Sequence, residues 1–374
     1  MRAGAEWLIL LLWLRLALFT LLGMLAQRRR PGRQPTSEPP ARLAVIVPAF
    51  NEAEHITETL QALLAQTRQA DELVVVDDGS TDATYTLAVQ ALSGVPGARV
   101  LRLQHNRGKA WALNAGLAAT TADGIVTVDA DTRLAPDALA QALTGLGRAD
   151  AAAFHVEVVL TGRWIARLQW QEYAAALNFE RRAQSLVGAI AVLPGAACIL
   201  RRSALATPAF SARTRTEDAD ITLTLQSRGR RLAVIDAARA ETMAPQTVSE
   251  LARQRVRWLA GHLQCLRHHG PRRGTPLRFR LLTLPNFALS TLTAPLGLAA
   301  LLVLTLSSQP GWLAPVPAVA LSLALVYAQR RLATAPLDGP SFFAEPLVTG
   351  SLSLLVFIAA VLSLLRAGRR SRWI

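Results

Sequence analysis

Short apolar segments alternate with amphipathic segments through the middle of the 374-residue chain. The apolar segments predict buried strands, and apolar residues at a helical period predict helices between them. The predicted strands are residues 43–47, 73–76, 99–103, 124–128 and 152–160. The predicted helices are an early one around Ile56, Leu60, Leu63 and Leu64, and then residues 84–92, 110–119, 165–185 and 221–226. An amphipathic helix is predicted at 248–269. Because the two kinds of segment alternate, we expect right-handed βαβ units, a parallel sheet and an α/β fold.

Polar residues follow the first two predicted strands. Pro48, which lacks an N–H, is expected to stop the first strand, and Asn51 can cap the helix that follows. The second strand ends in Asp77 and Asp78. A parallel sheet binds ligands at the carboxyl ends of its strands, so these carboxylates can accept hydrogen bonds from a nucleotide's ring N–H or ribose hydroxyls. An ordinary turn with a hydroxyl side chain as helix cap is the alternative.

The two ends of the chain are apolar. Segments long enough to cross a bilayer are residues 7–26, 281–307 and 346–365, with residues 311–327 as a shorter, proline-containing candidate. An arginine cluster at 28–30 favours a retained N-terminal anchor, and a cleaved signal peptide is the alternative. Arg15 lies near the middle of the first segment, where a charge is costly unless it snorkels or faces other helices.

The formal charge of +14 at pH 7 does not indicate a nucleic-acid-binding protein. Much of the excess arginine lies beside the apolar segments, and a basic face interleaved with aromatic residues is not evident. These arginines are better explained as topology signals and contacts to anionic lipids. We therefore expect membrane lipids, and no nucleic acid, among the partners. Cys198 and Cys265 give neither a disulfide framework nor a metal-ligand spacing.

These patterns divide the chain into regions. We expect an N-terminal transmembrane anchor (1–30), a linker (31–41), a globular cytoplasmic domain (42–245), an amphipathic interface region (246–280) and a C-terminal transmembrane region (281–374). The positive-inside rule does not resolve the last region, because arginines at 330–331 and 366–372 favour the same side although one plain span separates them.

Two acids follow the fourth predicted strand. Asp129 and Asp131 are separated only by the small Ala130, so both side chains can point into one crevice. Carboxylate oxygens there suit a hard divalent cation that is shared with a diphosphate. Such a cation would offset the charge that develops on a leaving diphosphate. Two exposed acids at a strand end are the alternative.

Two further polar segments lie at predicted helix starts. Lys109 follows Gly108, where a flexible backbone and a helix N-terminus favour an anion, so Lys109 is a candidate diphosphate contact. A solvated surface lysine is the alternative. Glu217 and Asp218 lie at the start of another helix. A carboxylate there is either a helix cap or a general base that takes a proton from an attacking hydroxyl.

Three residues of the amphipathic helix share one side. Gln254, Arg257 and Trp258 lie at positions i, i+3 and i+4. Arginine offers a planar fork to phosphate, and tryptophan offers a stacking face to a sugar or ring. A helix on the membrane surface with an interfacial tryptophan is the alternative.

Taken in order, these motifs resemble those of the family 2 glycosyltransferases. Within the family, the chain is most similar to the membrane-bound β-polysaccharide synthases, which include poly-N-acetylglucosamine, chitin-oligosaccharide, hyaluronan and cellulose synthases. The resemblance runs from residue 43 to 261 through segments 47–52, 77–82, 106–110, the D-x-D at 129–131, the T-E-D at 216–218 and the Q-x-x-R-W at 254–258. Residues 187–205 are most similar to the first two of these synthases.

The resemblance implies a GT-A fold, that is, a Rossmann-like nucleotide-sugar-binding domain, flanked by transmembrane helices. It implies an inverting reaction with Asp218 as catalytic base, and Mg²⁺ or Mn²⁺ bound to Asp129 and Asp131. The residues that it implies in donor binding are Pro48, Asn51, Glu52, Asp78, Lys109, Asp129, Gln254, Arg257 and Trp258, with Asp78 as the uridine contact.

The expected reaction moves N-acetylglucosamine from a UDP-sugar to a growing β-linked polysaccharide. The expected location is the bacterial inner membrane, with the catalytic domain in the cytoplasm. One alternative is the transfer of a single sugar to a lipid such as ceramide, diacylglycerol or polyprenyl phosphate. An inactive synthase subunit is less favoured, because the combination of Asp129, Asp131, Asp218 and Arg257 has no structural purpose. The few spans favour an accessory membrane subunit or an oligomer as a further partner.

Overall fold

The computed structural model describes residues 2–28, 38–307, 316–332 and 355–365. The strands are β1 (Leu43–Ala49), β2 (Glu72–Asp77), β3 (Ala98–Arg102), β4 (Gly124–Val128), β5 (Thr132–Leu134), β6 (Ala151–Val158), β7 (Ala197–Arg201) and β8 (Leu232–Thr242). The helices are α1 (Arg2–Arg28), α2 (Ile56–Leu64), α3 (Thr84–Leu92), α4 (Lys109–Ala118), α5 (Ala138–Leu146), α6 (Trp164–Glu172), α7 (Glu180–Leu186), α8 (Glu217–Ser227), α9 (Val248–His268), α10 (Leu284–Ser307), α11 (Val316–Leu332) and α12 (Leu355–Leu365).

The strands form one sheet in the order β3-β2-β1-β4-β7-β6-β8-β5. The first half, β1 to β4, is parallel as predicted. The prediction of a wholly parallel sheet is wrong for the second half, because β7 runs antiparallel to both β4 and β6, and β5 runs antiparallel to β8. The chain leaves β6 at its carboxyl end and passes through α6 and α7. It then enters β7 from the same end of the sheet, so that β7 runs in the opposite direction to β6. The α/β class is correct, but the sheet is mixed.

The start of the domain departs from two local predictions. Pro48 does not stop the first strand, which continues to Ala49 with Pro48 opposite Val76. The pairing of β1 with β4 ends at Ile46, so the residue without an N–H lies where only β2 is paired. Asn51 does not cap α2, because this helix begins after His55, and the Asn51 side chain accepts a hydrogen bond from the N–H of Thr81 instead.

A long helical element joins β6 to β7. The sequence predicts one helix over residues 165–185, and the structure has α6, a π-helical segment Tyr173–Phe179 and α7 in direct succession. Strands β5, β7 and β8 and helix α5 are not among the predicted elements. In β8 only some of the side chains are buried, and charged residues such as Arg239 and Glu241 occupy its exposed positions. Its hydrophobic pattern is therefore weak.

The core lies on both faces of the sheet. Along β1 the side chains alternate, so that Val45 and Val47 pack with α2 and α5, whereas Ala44 and Ile46 pack with α4 and α8. All residues of β1 are buried, as expected for a strand covered on both faces. The sheet is thus sandwiched between helices, and its strand ends are the places left for a ligand.

Two of the described helices are long and apolar enough to cross a membrane, namely α1 and the continuous helix Phe279–Ser307. Their bounds agree with the first two predicted spans. Helix α1 packs against α7 and α10. The other two predicted spans, 311–327 and 346–365, are described only where α11 and α12 cover them, and part of each lies outside the described residues. Most of the predicted linker also lies outside, at residues 29–37.

A glycine in α4 provides a test of the packing between this helix and the sheet. A Cβ added to Gly116 would overlap Cγ2 of Ile46, a branched side chain fixed in the middle of β1. We expect Gly116→Ala to reduce the free energy of unfolding by about 1–3 kcal/mol, because the core is already filled. Thermal unfolding of the purified protein checks this, with Gly4→Ala as a helical control that meets nothing within 4 Å. A higher unfolding temperature, as expected from helix propensity alone, would show that the helix and the sheet are loosely packed here.

Candidate active site

A cavity of about 360 Å³ lies where the carboxyl ends of β1 and β4 face the start of β7 and the helices α8 and α9. Of the residues predicted for the site, those that line this cavity are Pro48, Glu52, Lys109, Asp129, Asp131, Asp218, Gln254, Arg257 and Trp258. They come from widely separated parts of the chain. The cavity therefore brings the candidate diphosphate, metal and base residues together in one place.

Lys109 lies at the centre of the charged side chains. Its Nζ is 2.5 Å from Oδ1 of Asp129, 3.2 Å from Oε1 of Glu217 and 3.3 Å from the carbonyl oxygen of Gly195. The two carboxylates raise the pKa of the Lys109 ammonium, although burial lowers it. Lys109 is thus a fixed, protonated cation between two acidic segments.

The loop before Lys109 is held by Asp78. The N–H groups of Arg107 and Gly108 donate to the Asp78 carboxylate at 2.9 and 2.7 Å. Gly108 has a φ of 95°, which a residue with a Cβ rarely adopts, and α4 begins at the next residue. Asp78 therefore orients the loop that presents Lys109. Its predicted contact with a uridine ring stays a prediction.

The acids at the end of β4 are held by neighbouring hydroxyl groups. Thr59 donates to the carbonyl of Ala130 at 2.8 Å, and the hydroxyls of Thr132 and Thr242 donate to Oδ1 of Asp131 at 3.1 and 3.3 Å. The main-chain N–H of Asp129 donates to the carbonyl of Ala196, which extends the pairing of β4 with β7. The D-x-D turn is consequently fixed from both sides.

Carboxylates crowd this part of the cavity. Burial and the charges of Asp131 and Asp129 raise the pKa of Glu52 to about 8. Burial raises the pKa of Asp129 to about 7 against the opposing effect of Lys109, and burial also raises the pKa of Asp131. These oxygen donors fit a hard divalent cation. The described ranges contain no cluster of three or more His, Cys, Asp or Glu arranged to hold a metal ion by themselves, so a cation here would need further oxygen ligands.

Asp218 lies in the first turn of α8 and faces the same cavity. The N–H of Ala219 donates to its carboxylate at 2.8 Å. Burial, and then the neighbouring charge of Glu217, raise the pKa of Asp218 to about 6. A Cβ on Gly195 would lie 2.9 Å from Nζ of Lys109 and 3.2 Å from Oδ2 of Asp218. A glycine at this position therefore lets the wall of the cavity approach both the cation and the acid.

Helix α9 closes the cavity with Gln254, Arg257 and Trp258. Arg255, on the same helix, donates to Oε2 of Glu172 at 2.6 Å, and its guanidinium lies 4.4 Å from the centre of the Trp258 ring. A second crevice begins on the other side of Trp258. Its apolar lining comes from α9, α10 and α12 and includes Leu251, Leu259, Ala294, Pro295 and Val356.

Two predicted site residues do not line the cavity. The first is Asp78, described above, and the second is Asn51. Its N–H donates to the hydroxyl of Ser80 at 2.9 Å, and its Oδ1 accepts from the N–H of Thr81 at 2.9 Å. Its φ is 55°, a left-handed conformation that asparagine tolerates better than most residues. Asn51 therefore ties the turn after β1 to the turn after β2.

Sequence reasoning missed several residues of the cavity wall, among them Tyr173, Asn178 and Arg181. They belong to the π-helical segment and α7, whose orientation no local pattern reveals. It interprets the carboxylates at 217 and 218 only as a helix cap or a general base, and it does not indicate the contact of Glu217 with Lys109. One signal was available for Lys109, because it is the only lysine in a chain that otherwise uses arginine.

Comparison with known proteins agrees with this geometry. Residues 44–207 match the family described as glycosyl transferase family 2. The poly-beta-1,6-N-acetyl-D-glucosamine synthase of Staphylococcus aureus is 28% identical over 223 residues, which are 59% of this chain and 54% of that protein. An N-acetylglucosaminyltransferase of Mesorhizobium japonicum is 30% identical over 242 residues, which are 61% of this chain and 57% of that protein. The chain thus spans about half the length of the curated relatives that it matches.

A solved structure has the same fold over nearly the whole chain. A mannosyltransferase from Pyrobaculum calidifontis, in complex with GDP-Man and Mn²⁺, matches with a TM-score of 0.70 and 22% sequence identity, covering 98% of this chain and 99% of that one. The fold of the chain is therefore GT-A-like. The family match assigns residues 44–207 to a glycosyltransferase family 2 domain, and the named relatives are consistent with the β-polysaccharide synthase branch of that family.

The position of the single lysine allows a direct test of the charged centre. We expect Lys109 to react slowly with an amine-directed succinimidyl ester at pH 8, because the ammonium is held protonated by Asp129 and Glu217. Asp129→Asn should accelerate the modification, since each unit of lowered pKa raises the unprotonated fraction about tenfold. Mass spectrometry measures the rate against an added lysine peptide. Glu58→Gln, which removes an exposed carboxylate on α2, is the control and should leave the rate unchanged. A rate of Lys109 modification in Asp129→Asn equal to that in the wild type would contradict this arrangement of charges.

Proposed function

We propose that this protein is an inverting membrane glycosyltransferase that moves N-acetylglucosamine from UDP-N-acetylglucosamine to a growing β-linked polysaccharide. One observation carries the proposal: Lys109, the D-x-D acids and Asp218 line a single cavity. The cavity thereby combines a place for a diphosphate with an acid suited to deprotonate an acceptor hydroxyl. The names of the curated relatives support N-acetylglucosamine as the sugar.

The diphosphate of the donor would lie between Lys109, Arg257 and the acids after β4. Asp129 and Asp131 would hold a Mg²⁺ or Mn²⁺ ion, which when bound offsets negative charge on the leaving UDP. The donor oxygens would complete the set of ligands that the two carboxylates begin. Arg257 offers a planar fork that fits phosphate oxygens. Lys109 and Arg257 already line the cavity, so little reorganisation of these side chains would be needed as charge develops on the diphosphate.

Asp218 is the proposed general base. Its carboxylate would accept the proton of the acceptor hydroxyl, whose oxygen attacks the anomeric carbon of the donor as the bond to UDP breaks. Attack from the side opposite the leaving group inverts the anomeric centre, so that an α-linked donor gives a β-linked product. A raised pKa of about 6 makes Asp218 a stronger base than an ordinary aspartate and leaves it ionised near neutral pH.

The nucleoside end of the donor would lie over the turns after β1 and β2. Pro48 and Glu52 line this end of the cavity, and Asp78 lies behind them in the turn that Asn51 braces. We propose these residues as the uridine and ribose contacts. Trp258 and Gln254 would lie on the acceptor side, where a tryptophan ring can stack on a sugar.

The transfer of one sugar to a lipid is the second candidate. The apolar crevice beyond Trp258 favours it, because its lining fits a hydrocarbon chain better than a polar glycan. An inactive subunit that binds a nucleotide-sugar is a further alternative.

We propose an integral membrane location with the catalytic domain on the cytoplasmic side of a bacterial inner membrane. The support is the length and apolarity of α1 and of helix Phe279–Ser307, together with the cytosolic supply of UDP-sugars. We also propose residues 42–245 as the catalytic domain, 246–280 as the interface region and 281–374 as the C-terminal membrane region. An accessory subunit or an oligomer would complete a secretion path.

Purified protein in lipid, with Mg²⁺ or Mn²⁺, tests the activity. We expect UDP release from UDP-N-acetylglucosamine above that from other UDP-sugars, with product chains that grow in length. A single sugar on an organic-extractable lipid would establish the second candidate. The absence of UDP release with every donor, polysaccharide primer and lipid would contradict an active enzyme and favour the inactive subunit.

Replacement of the proposed base separates binding from chemistry. We expect Asp218→Asn to bind UDP-N-acetylglucosamine with near-normal affinity and to lose transfer by roughly two to four orders of magnitude, since a general base contributes about that much. In the wild type, transfer should fall as the pH drops through about 6, because the raised pKa leaves Asp218 protonated below that value. Calorimetry and UDP release measure the two effects, with the exposed Asp137→Asn as control. Transfer retained in Asp218→Asn would remove this residue as base.

A further inference from the structure

Arg15 lies in the middle of the apolar helix α1, yet its guanidinium is not exposed to solvent. It forms an ion pair with Glu180 of α7, and the two side chains are only 11% and 13% exposed. The guanidinium also donates to Oγ of Ser290 at 2.7 Å and to Oδ1 of Asn286 at 3.2 Å, both on α10. A charge within a membrane-spanning segment is costly, so an arginine that makes such contacts joins the three helices firmly.

Glu180, through Gln184, and Asn286 connect this cluster to the loop that follows α7. Gln184 donates to the Glu180 carboxylate at 3.2 Å, and its own side-chain oxygen accepts the N–H of Ala191 at 2.9 Å. Asn286 donates to the carbonyl of Ala189 at 3.1 Å. The cluster around Arg15 is therefore connected by hydrogen bonds to the main chain at residues 189 and 191.

The same loop is also held by further side chains of α7 and by side chains of α8. Gln226 donates to the carbonyl of Ile190 at 2.6 Å, and Arg181 donates to that of Val192 at 3.1 Å. The N–H of Leu193 donates to the hydroxyl of Thr222 at 2.9 Å. Residues 189–193 precede β7 and lie outside the strand pairing of the sheet. Their position thus depends on the helices around them.

The loop leads directly into the wall of the cavity. Pro194, Gly195 and Ala196 line the space between Lys109 and Asp218. The carbonyl of Gly195 is 3.3 Å from Nζ of Lys109, and a Cβ on Gly195 would lie 3.2 Å from Oδ2 of Asp218. A displacement of the loop would therefore change the distance between the diphosphate cation and the base.

We propose that Arg15 and Glu180 are positioning residues for the transfer reaction. Through Gln184 and Asn286, their ion pair fixes the loop 189–195 against Lys109 and Asp218. The N-terminal helix then does more than anchor the enzyme, because it sets the geometry of the catalytic wall. This inference rests on the proposed function for its kinetic test, although the placement of the loop can be measured without any donor.

The kinetic test uses Arg15→Gln, Glu180→Gln and the double variant. We expect each single variant to lower kcat by roughly ten- to a hundredfold, as a small misplacement does, while KM for the UDP-sugar stays near the wild-type value. KM should be unaffected because the nucleoside end of the donor would lie over the turns after β1 and β2, away from the loop 189–195. The double variant should lose no more than either single variant, because no unpaired charge remains. Arg15→Lys, which keeps the charge, should recover part of kcat.

Three control variants match these changes. Arg2→Gln and Glu6→Gln break the exposed ion pair at the start of α1. Ser322→Ala removes the hydrogen bond from Trp13 of α1 to α11, a contact between helices that does not involve the loop 189–195. All three should keep kcat. Equal losses in the controls, or losses of kcat that parallel a loss of folded protein in thermal unfolding, would overturn the positioning role.

A donor-independent measurement separates this inference from the proposed function. In Arg15→Gln and Glu180→Gln, the loop carrying the Gly195 carbonyl should loosen, and the succinimidyl ester should modify Lys109 faster than in the wild type or the controls. This result would support the loop contact even where no UDP-sugar proves to be a substrate. An unchanged rate of modification, with unchanged kcat, would overturn the inference and leave the activity untouched.

Discussion

The ion pairs of Lys109 with Asp129 and Glu217 are the interaction on which the cavity depends. They join the end of β4 to the start of α8, two elements that are distant in sequence and that each present several acids. Without the ammonium, these carboxylates would repel one another in a place shielded from water. Removing one partner of a largely buried pair leaves an uncompensated charge, so each member of this centre stabilises the others. The loop that carries Lys109 is fixed in turn by Asp78, whose carboxylate accepts two of the loop's N–H groups.

The first half of the sheet could be predicted from the sequence because its strands are buried on both faces and therefore appear as continuous apolar segments. Strand β4 and helix α3 occur at the predicted residues. The second half could not be predicted, since strand direction depends on where the chain re-enters the sheet. Nothing local in β7 shows that α6 and α7 return it to the edge from which β6 left. Strand β8 escaped notice because its exposed positions carry Arg239 and Glu241 in place of a regular apolar pattern.

The site was predictable to the extent that its residues stand at the ends of predictable elements. Asp129 ends a strand, Lys109 and Asp218 begin helices, and the sheet brings such ends together. Arg181 could not be found in this way, because its direction depends on the π-helical segment that precedes α7. For Asn51, by contrast, the sequence predicted a local role that the structure does not show. Its position after a strand indicated a helix cap, whereas the left-handed backbone turns its side chain toward the neighbouring turn.

The region that matches the family model contains only some of the residues that line the cavity. Residues 44–207 include Pro48, Glu52, Lys109 and the D-x-D acids of the cavity wall, where we propose that the donor binds. Asp218, Gln254 and Arg257 lie beyond this region, and so does the long apolar helix that follows α9. The assignment of the base therefore rests on the distances within this chain, where α8 points Asp218 across Gly195 toward Lys109. The side of the cavity that would bind the donor is formed by the sheet, and the side that would bind the acceptor is formed by α7 to α10. Since α1 packs on α7 and α10, the proposed acceptor side and the two long apolar helices form one packed unit, and the cavity lies where the sheet meets them.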